Sequence, residues 1–530
     1  MPTDCISFQN SGYFTDLIID YLNQKPSLMS LYNRFPTLEN FEKQIEEKNN
    51  NFNSIDKRQI LVAALKSQYQ NLDISQTTSN NIQLLSDSKT FTITTGHQLN
   101  LFTGPLYFLF KIISTINLCK QLKTEYPENN FVPIYWMATE DHDFEEINYF
   151  TFKGKKFRWN TESTGPVGRL STEGLDEVFD VFAKEIGSST NANAIKKLFR
   201  ESYLNHNTLA DATRFLANAL FGEWGLVILD GDHQDLKRIF TPYVKEELIH
   251  QKSNKAVLET ISKLKDYPIQ VNPRPINLFY INDSLRERIV FENGVYKINN
   301  TPIQFSETEI LFELENNPEN FSPNVILRPL YQEVILPNLC YIGGGGEIGY
   351  WLELKKLFEA AKVTFPILLL RNSVLLANEK QAKKADKLSL TWQDLFSKQS
   401  DLLNEKIKQI SAFPIDFTVQ KEHLKNQFLY LETIAMKTDK SFIGAVKAQE
   451  TKQIKGLENL EKRLLKAQKR KHAEALERIA NLQNELFPNG SLQERVANFS
   501  EFYLENGEPL INNLFSELKP LDKEFNLIIL

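Results

Sequence analysis

Two consecutive segments of this chain have the composition of buried strands, and a helix-forming segment separates them. Residues 91–95 and 131–138 are rich in aromatic and β-branched residues, whereas 106–122 is a mostly apolar run of helical length. The Thr-Gly-Pro sequence at 103–105 is a start signal for that helix. A strand, a helix and a strand predict a βαβ unit, whose crossover is almost always right-handed. The carboxyl ends of both strands are therefore expected at one edge of a parallel sheet.

Polar residues follow each of these two predicted strands at the point where it ends. The first strand is followed by Gly96, His97 and Gln98, and the second by Glu140, Asp141, His142 and Asp143. Open α/β folds bind ligands at this edge, so we expect one shared crevice. Three carboxylates around a histidine carry repulsion that folding alone would avoid, which favours a functional site over a solvated loop.

The chemistry of these residues leaves several roles open. The carboxylates could bind an ammonium group, act as a general base or help to hold Mg²⁺. His97 precedes a predicted helix start, where anions are favoured, and could donate a hydrogen bond to a phosphate or a carboxylate. A zinc site is not expected, because neither a His-Glu-x-x-His motif nor a cysteine pair is present.

The composition is that of a globular chain with several domains and a large core. The chain has 530 residues, of which 42% are hydrophobic and 24% charged, and a domain commonly takes roughly 150 residues. The formal net charge of -6 gives no basis for binding nucleic acid by bulk electrostatics. Cys5, Cys119 and Cys340 are too widely spaced for a disulfide framework, which fits a reducing compartment.

The first residues and the apolar runs predict the location of the protein. Residues 1–4 lack the basic and apolar segments of a secretion signal. The apolar run at 106–113 is too short to span a bilayer, and it contains Lys111. We therefore expect a soluble cytoplasmic protein without a membrane partner.

Changes in pattern along the chain predict an α/β fold with a parallel-sheet core, two β-rich insertions and a helical arm. Residues 226–230, 334–342 and 363–370 have the composition of further buried strands, the last of them central in the sheet. The Asn293-Gly294 pair is a strong hairpin signal. The predicted parts are an N-terminal helical part of the core at 1–90, the core at 91–376 with insertions at about 145–215 and 269–325, a helical coiled-coil domain at 377–487 and a tail at 488–530 that packs on the core.

The segment 377–487 is rich in Lys, Glu, Gln and Leu, and its leucine spacing predicts an antiparallel coiled coil. The predicted seams are Leu388, Trp392, Leu395 and Leu402 on one helix and Leu457, Leu460 and Leu464 on another. A break at 413–414 would fold the helices back on each other. Phe396, Leu403 and Leu465 lie beside the seams as a second apolar edge, and such an edge on a projecting arm usually indicates a partner. We therefore expect a homodimer joined through this domain.

A glycine-rich turn at 343–349 permits a second interpretation. Gly344, Gly346 and Gly349 satisfy the G-x-G-x-x-G pattern of dinucleotide-binding folds, which would make the chain a nucleotide-dependent oxidoreductase. However, Glu347 falls where the pyrophosphate charge would lie, and Arg371 replaces the acidic residue expected at the next strand end. We favour close backbone approach to a smaller substrate, with Glu347 available for a substrate amine.

Two further residues follow the predicted strand at 363–370. Arg371 and Ser373 suit the binding of a carboxylate or a phosphate, but they are equally compatible with the start of a helix. A third interpretation of the whole chain is a scaffold in which the coiled coil is the working part.

Several of these segments together resemble one known family, the bacillithiol biosynthesis cysteine-adding enzymes (BshC). The resemblance covers nearly the whole chain in order. The segments that carry it are Gly96-His97-Gln98, Thr103 to Tyr107 with Lys111, Glu140 to Phe144, Arg328 to Gln332, Gly343 to Trp351 with Glu347 and Tyr350, and Gln493-Glu494-Arg495.

The resemblance implies a Rossmann-like core related to class I aminoacyl-tRNA synthetases and a coiled-coil arm that dimerises. It also implies the last step of bacillithiol synthesis, in which L-cysteine is joined through an amide to the amino group of glucosaminyl-malate. The synthetase signatures H-x-G-H and K-M-S-K-S are not matched around His97 and Arg371, so the way in which the cysteine carboxyl is activated is left open. ATP or another nucleotide, with Mg²⁺, is one route.

The sequence thus yields two sets of candidate site residues. The candidate catalytic residues are Glu140, Asp141, His142 and Asp143, and the candidate substrate-binding residues are His97, Gln98, Thr103, Gly104, Gly344, Glu347, Tyr350, Arg371 and Ser373.

Overall fold

The structure, a computed structural model, describes residues 4–52, 54–438 and 440–530. The chain divides into two compact units. The first contains the residues up to Leu376 together with Leu492–Ile528, and the second contains Ala377–Ser491.

The strands of the described residues are β1 (Asp4–Ser7), β2 (Thr90–His97), β3 (Asn130–Met137), β4 (Tyr149–Phe152), β5 (Lys155–Arg158), β6 (Val227–Asp230), β7 (Leu278–Asn282), β8 (Leu285–Glu292), β9 (Val295–Ile298), β10 (Gln304–Phe305), β11 (Phe321–Pro323), β12 (Asn338–Gly343), β13 (Ile367–Leu370), β14 (Val374–Ala377) and β15 (Glu524–Ile529).

The helices are α1 (Phe8–Ser11), α2 (Asp16–Leu22), α3 (Leu38–Asn51), α4 (Ile55–Gln68), α5 (Gln76–Leu84), α6 (Tyr107–Glu125), α7 (Phe144–Ile147), α8 (Leu175–Ile186), α9 (Thr190–Tyr203), α10 (Leu209–Phe221), α11 (Gln234–His250), α12 (Lys252–Ile261), α13 (Glu307–Asn316), α14 (Leu327–Ile335), α15 (Gly345–Leu352), α16 (Lys355–Ala361), α17 (Glu379–Lys387), α18 (Trp392–Leu395), α19 (Gln399–Ile410), α20 (Thr418–Ala435), α21 (Lys440–Lys471), α22 (Ala473–Leu486), α23 (Phe499–Asn506) and α24 (Pro509–Glu517). None of these helices is long and apolar enough to cross a membrane.

A five-stranded parallel sheet with the order β13-β12-β2-β3-β6 forms the centre of the first unit. Strands β2 and β3 pair in parallel, from Thr90 opposite Asn130 to His97 opposite Met137, and α6 connects them. Apolar residues of β2, β12 and β13 pack against α3 and α6 in a buried cluster. The predicted parallel-sheet core is confirmed, and its strands are buried on both faces as in a doubly covered sheet.

Three details of the core differ from the sequence prediction. The strand predicted at 334–342 begins only at Asn338, because Val334 and Ile335 end helix α14 and Pro337 separates the two elements. A short apolar run does not by itself distinguish a buried helix from a buried strand. The strand before Arg371 lies at an edge of the sheet and not at its centre. Residues Asp4–Ser7, predicted as helical, form a strand that pairs with β15.

The two insertions differ in character. The first contains the β4–β5 hairpin, followed by the helices α8, α9 and α10. The second forms an antiparallel five-stranded sheet with the order β10-β9-β8-β7-β11. Asn293 and Gly294 make the turn between β8 and β9, both with positive φ, as the Asn-Gly pair predicts.

The C-terminal residues return to the first unit. Strand β15 lies between β1 and β14 in a three-stranded sheet. The side chain of Asn117 on α6 donates hydrogen bonds to the carbonyls of Phe515 and Leu518. Gln493 bridges the backbone of Leu376 with both its amide atoms.

The second unit consists of helices α17 to α22. Helices α20 and α21 run antiparallel, with Phe428, Ala435 and Val446 buried between them and an ion pair of 2.6 Å between Lys421 and Glu461. The predicted helical coiled-coil domain is confirmed by this pair. The predicted break at 413–414 lies between α19 and α20, whereas the longest antiparallel pairing is that of α20 with α21.

The predicted seams of the second unit need correction. Leu388, Trp392 and Leu402 do not share one helix, because α17 ends before Leu388, which is followed by Ser389 with positive φ. The expected second apolar edge is not exposed. Phe396 packs against Phe487, and Leu403 and Leu465 pack on a buried cluster of Ile407, Ile415 and Leu476. The large apolar side chains that are exposed on this unit include Val419, Leu429, Tyr430, Leu431, Ile434 and Leu460.

Candidate active site

A cavity of about 450 Å³ opens at the carboxyl edge of the parallel sheet. Residues at the ends of β2, β3, β12 and β13 line it, together with side chains of α6, α14 and the second insertion. The predicted site residues that the fold brings into this cavity are His97, Gln98, Glu140, Asp141, Gly344, Glu347, Tyr350 and Arg371. The predicted residues that do not line it are Thr103, Gly104, His142, Asp143 and Ser373.

His97 ends strand β2 and is buried against the rings of Tyr107 and Phe108. Burial, together with the charge of Lys111, lowers the pKa of His97 to about 3. Its Nε2 atom has no hydrogen-bond partner within the described residues. At neutral pH the imidazole is therefore uncharged, so it offers an anion no positive charge.

Asp141 is held by its neighbours on the loop after β3. Its carboxylate accepts hydrogen bonds from Gln98 Nε2 at 3.1 Å and from the backbone N–H of His142 at 2.8 Å. Burial acts to raise the pKa of Asp141, but the hydrogen bonds of His142 and Gln98 and the charge of Arg286 outweigh it and hold this pKa well below the usual range. Asp141 is therefore an ionised hydrogen-bond acceptor. It is suited to holding a cation, and it is itself only a weak base.

Glu140 points to a different partner. Its Oε1 atom lies 2.7 Å from Nζ of Lys237, a buried lysine of α11 that also contacts Asp232 at 2.9 Å. His142 and Asp143 are exposed. The predicted crowding of three carboxylates is wrong, because each acidic side chain of this loop points in its own direction.

The side chain of Glu347 caps the glycine-rich turn to which it belongs. Its Oε2 atom accepts a hydrogen bond from the backbone N–H of Gly344 at 2.8 Å and lies 2.6 Å from Nζ of the buried Lys111. Its Oε1 atom accepts a hydrogen bond from the hydroxyl of Tyr341 at 2.7 Å. The carboxylate thus occupies the helix N-terminus where a dinucleotide pyrophosphate would bind. This arrangement argues against the oxidoreductase interpretation, and it leaves Glu347 committed to Lys111 and not free for a substrate amine.

Arg371 is fixed by the C-terminal tail. Its Nη2 atom donates to Glu494 at 2.7 Å, and Nη1 donates to Ser373 Oγ and to the carbonyl of Asn372. Nε is buried without a hydrogen-bond partner within the described residues, and the guanidinium lines the cavity. Ser373 positions Arg371 and precedes strand β14, so the alternative of a helix start is wrong.

Thr103 and Gly104 lie in the loop between β2 and α6. Phe102, Thr103 and Gly104 all have positive φ. The Asn498 side chain donates to the carbonyls of Phe102 and Gly104, and the backbone of Thr103 is a hydrogen-bond partner of His97. These residues support the cavity wall from behind.

The cavity also contains cations that the sequence pattern did not single out as site residues, namely Lys111, Arg286, Arg328 and Arg495. Lys111 was recognisable as a lone cation inside an apolar helix, and Arg328 and Arg495 lie within the segments of the family resemblance. Arg286 lies on a strand of the second insertion, where nothing in the local pattern distinguishes it from a surface arginine.

The cavity has more positive than negative side chains. Glu140 and Glu347 are paired with lysines. Arg328 donates to the neutral Gln332 and Tyr350 and lies over the rings of Trp136 and Tyr341. Within the described residues, no group of three or more His, Cys, Asp and Glu side chains could hold a metal ion. The charge distribution therefore favours a ligand with anionic groups.

Comparison with known proteins gives the same family over both units. Residues 1–372 match the family model described as bacillithiol biosynthesis BshC, N-terminal Rossmann-like domain, and residues 374–530 match the BshC C-terminal coiled-coil domain. The relation to class I synthetases is tested by neither match and stays a prediction.

Three relatives carry the name "Putative cysteine ligase BshC". The protein of Flavobacterium johnsoniae is 69% identical over 528 residues and covers 100% of both chains. The protein of Flavobacterium psychrophilum is 68% identical, over 100% of this chain and 99% of its own. The protein of Christiangramia forsetii is 58% identical over the same shares. With its Rossmann-like sheet, its cavity and its coiled coil, this chain belongs to the bacillithiol biosynthesis BshC family.

Proposed function

We propose that this protein is a ligase that joins L-cysteine through an amide to the amino group of glucosaminyl-malate, which completes bacillithiol, a low-molecular-weight thiol. Membership of the BshC family and the cysteine ligase name of its relatives support the reaction class. The observation that carries the substrate assignment is the mixed charge of the cavity, in which an ionised Asp141 lies among arginines.

Both substrates have the charges that such a cavity would bind. Cysteine carries an ammonium group and a carboxylate, and glucosaminyl-malate carries an amino group and two carboxylates. Asp141 offers a site for the ammonium, whereas Arg328 and Arg371 offer guanidinium groups for the carboxylates. The cavity volume of about 450 Å³ falls within the range of about 300–1,000 Å³ typical of small-molecule sites.

Amide formation requires a deprotonated amine, and so it requires a general base. Asp141 is a weak base because its pKa is held low, and Asp143 and His142 do not line the cavity. Glu140 also lines the cavity, but its carboxylate is paired with Lys237 at 2.7 Å. We therefore assign the general base to none of the four predicted catalytic residues, and we assign Asp141 the role of holding the substrate ammonium.

We also propose that a nucleotide, ATP in the first place, activates the cysteine carboxyl. The surplus of arginines over unpaired carboxylates in the cavity supports an anionic cosubstrate. Mg²⁺ would bind together with the nucleotide phosphates, as it commonly does with one or two protein carboxylates. Reactions with and without ATP and Mg²⁺ test this proposal. Separation of AMP and ADP by chromatography then identifies the class of the activated intermediate.

The test of the function is reconstitution from purified components. The protein, L-cysteine, glucosaminyl-malate, ATP and Mg²⁺ should release bacillithiol that is detected by mass spectrometry, and omission of any one substrate should abolish it. A strain without the gene should lose bacillithiol and accumulate glucosaminyl-malate. If replacing Asp141 and His142 by Ala leaves cellular thiol levels unchanged, the scaffold interpretation replaces this proposal.

We further propose that the protein acts in the cytoplasm as a homodimer joined through residues 377–487. The exposed Leu429, Tyr430 and Ile434 on α20 support a partner surface on this unit.

A further inference from the structure

Arg286 reaches the cavity from outside the parallel-sheet core. It lies on β8 in the antiparallel sheet of the second insertion, yet its side chain lines the same cavity as Asp141 and Glu140. The insertion therefore contributes a charged group to the wall of the site.

The guanidinium of Arg286 is held in one orientation. It stacks on the ring of Phe279 at 3.9 Å, and its Nη1 atom lies 2.5 Å from Nδ1 of His142. Arg286 can only donate, so His142 Nδ1 is the acceptor in this contact. A rigid, stacked guanidinium loses little freedom when it binds a further group.

One donor atom of this guanidinium lacks a hydrogen-bond partner in the part of the chain that the structure describes. The Nε atom of Arg286 is buried without a hydrogen-bond partner within the described residues. Nε and Nη2 donate in the same direction and form the edge of an arginine that fits the two oxygens of a carboxylate. The nearby Asp141 uses its oxygens on Gln98 and on the His142 backbone, and Glu140 is paired with Lys237.

We propose that Arg286 binds a carboxylate of the amino-sugar substrate through its Nε–Nη2 edge and thereby selects a malate-bearing acceptor. This inference rests on the proposed function and names one specificity-determining residue of that site. A carboxylate fits better than a phosphate here, because the charges of Asp141 and Glu140 act on the same guanidinium and repel a more highly charged group more strongly.

Calorimetric binding with matched variants tests this inference. The variants are Arg286→Gln and, as the matched control, Arg288→Gln, which changes an exposed arginine of the same strand outside the cavity. The ligands are glucosaminyl-malate, methyl glucosaminide, which lacks the malate, and ATP. Arg286→Gln should weaken glucosaminyl-malate by about 10- to 100-fold, as expected for a lost charge-assisted pair. It should leave methyl glucosaminide and ATP unchanged, and Arg288→Gln should bind all three as wild type does.

Each other outcome has a definite meaning. Wild-type affinity of Arg286→Gln for glucosaminyl-malate, or equal weakening of methyl glucosaminide, would overturn the inference and leave the proposed function intact. Weakening confined to ATP would assign the edge to a phosphate and overturn the carboxylate. A wild-type protein that binds no glucosaminyl-malate would overturn the proposed function itself.

A second variant covers the case in which Arg286→Gln does not fold. Arg286→Lys keeps the charge and loses the bidentate edge, so it should bind glucosaminyl-malate about 10-fold more weakly than wild type. Wild-type affinity of this variant would overturn the two-atom contact.

Discussion

At the scale of single residues, several charged groups of the cavity are paired with an opposite charge. Lys111 neutralises Glu347, Lys237 neutralises Glu140, and Glu494 holds Arg371. Asp141 differs, because hydrogen bonds from Gln98 and His142 stabilise it as an anion and no lysine or arginine of the described residues pairs with it. Asp141 is therefore the cavity carboxylate that has most charge left for a substrate.

Replacing Asp141 by Asn should lower turnover by about 100-fold or more, because the site loses the charge that would hold the substrate ammonium. Stability at neutral pH should fall by about 1 kcal/mol, since the accepted hydrogen bonds lose their charge. Relief of repulsion between carboxylates does not offset this loss, because Glu140 is paired with Lys237 and Asp143 is exposed. Steady-state kinetics and urea unfolding measure both effects, and Asp143→Asn, at an exposed neighbour, is the control.

The low pKa of Asp141 also sets a dependence on pH. A carboxylate whose pKa is lowered by folding stabilises the protein above its unfolded value of about 4 and loses that effect as the pH falls. Wild type should therefore lose more stability than Asp141→Asn on acidification below about pH 4. Parallel losses in the two proteins, measured by unfolding at a series of pH values, would contradict the assignment.

The Lys111–Glu347 pair should couple strongly in a double-mutant cycle. Lys111 is 3% exposed and Glu347 is 27% exposed, so Lys111→Met leaves a mostly buried carboxylate without its cation and should cost about 3 kcal/mol. Adding Glu347→Gln should restore part of that loss, because it removes the unpaired charge and keeps a capping residue at the start of α15. Strictly additive losses in urea unfolding would show that the two groups do not interact.

At the scale of elements, the loop between β2 and α6 is strained and is held in place by distant parts of the chain. Its three consecutive residues with positive φ would be costly in isolation. Tyr203 of α9 accepts the backbone N–H of Phe102 at 2.8 Å, and Asn498 fixes the carbonyls on both sides of Thr103. The loop supports His97 only because these elements pack around it.

Gly104→Ala should destabilise the protein more than Gly154→Ala. Both glycines have positive φ, at +61° and +76°, but a Cβ at position 104 would lie 2.6 Å from Cβ of Asn100. At position 154 no atom of the described residues would lie within 4 Å of the added Cβ. We expect a loss of about 1 kcal/mol at position 154 from the backbone alone and of about 3 kcal/mol at position 104. Equal losses in thermal unfolding would mean that the loop relaxes around the added methyl.

At the scale of the whole molecule, the two units have different surfaces. The apolar side chains of the parallel sheet and its helices are buried within the first unit. On the second unit, α20 exposes Leu429 by 60% and Tyr430 by 69%. A soluble monomer rarely leaves such side chains clustered on one helix without a partner.

Light scattering at micromolar concentration should give a mass near twice the 61.3 kDa of one chain. Leu429→Glu combined with Ile434→Glu should shift the mass to that of the monomer, because two charges would be buried in the interface. Val181→Glu, at an equally exposed apolar residue of the first unit, should leave the dimer unchanged. A monomeric wild type, or a dimer that survives the double substitution, would contradict this assembly.

The sequence by itself determined the elements that depend on neighbouring residues. The βαβ unit, the strand-end positions of His97 and Asp141 and the turn at Asn293 follow from local hydrophobic period and turn chemistry. These signals suffice because a parallel sheet brings the ends of its strands to one edge whatever the rest of the chain does.

Only the tertiary structure decided which partner each polar residue has. Three features of the site bring together residues that are distant in the sequence. His97 is buried and therefore neutral, Glu347 pairs with Lys111, and Arg286 of the second insertion lines the cavity. Local sequence patterns do not predict such pairings. Charge and pKa at a site depend on burial and on nearby charges, and both are set by how the elements pack in three dimensions.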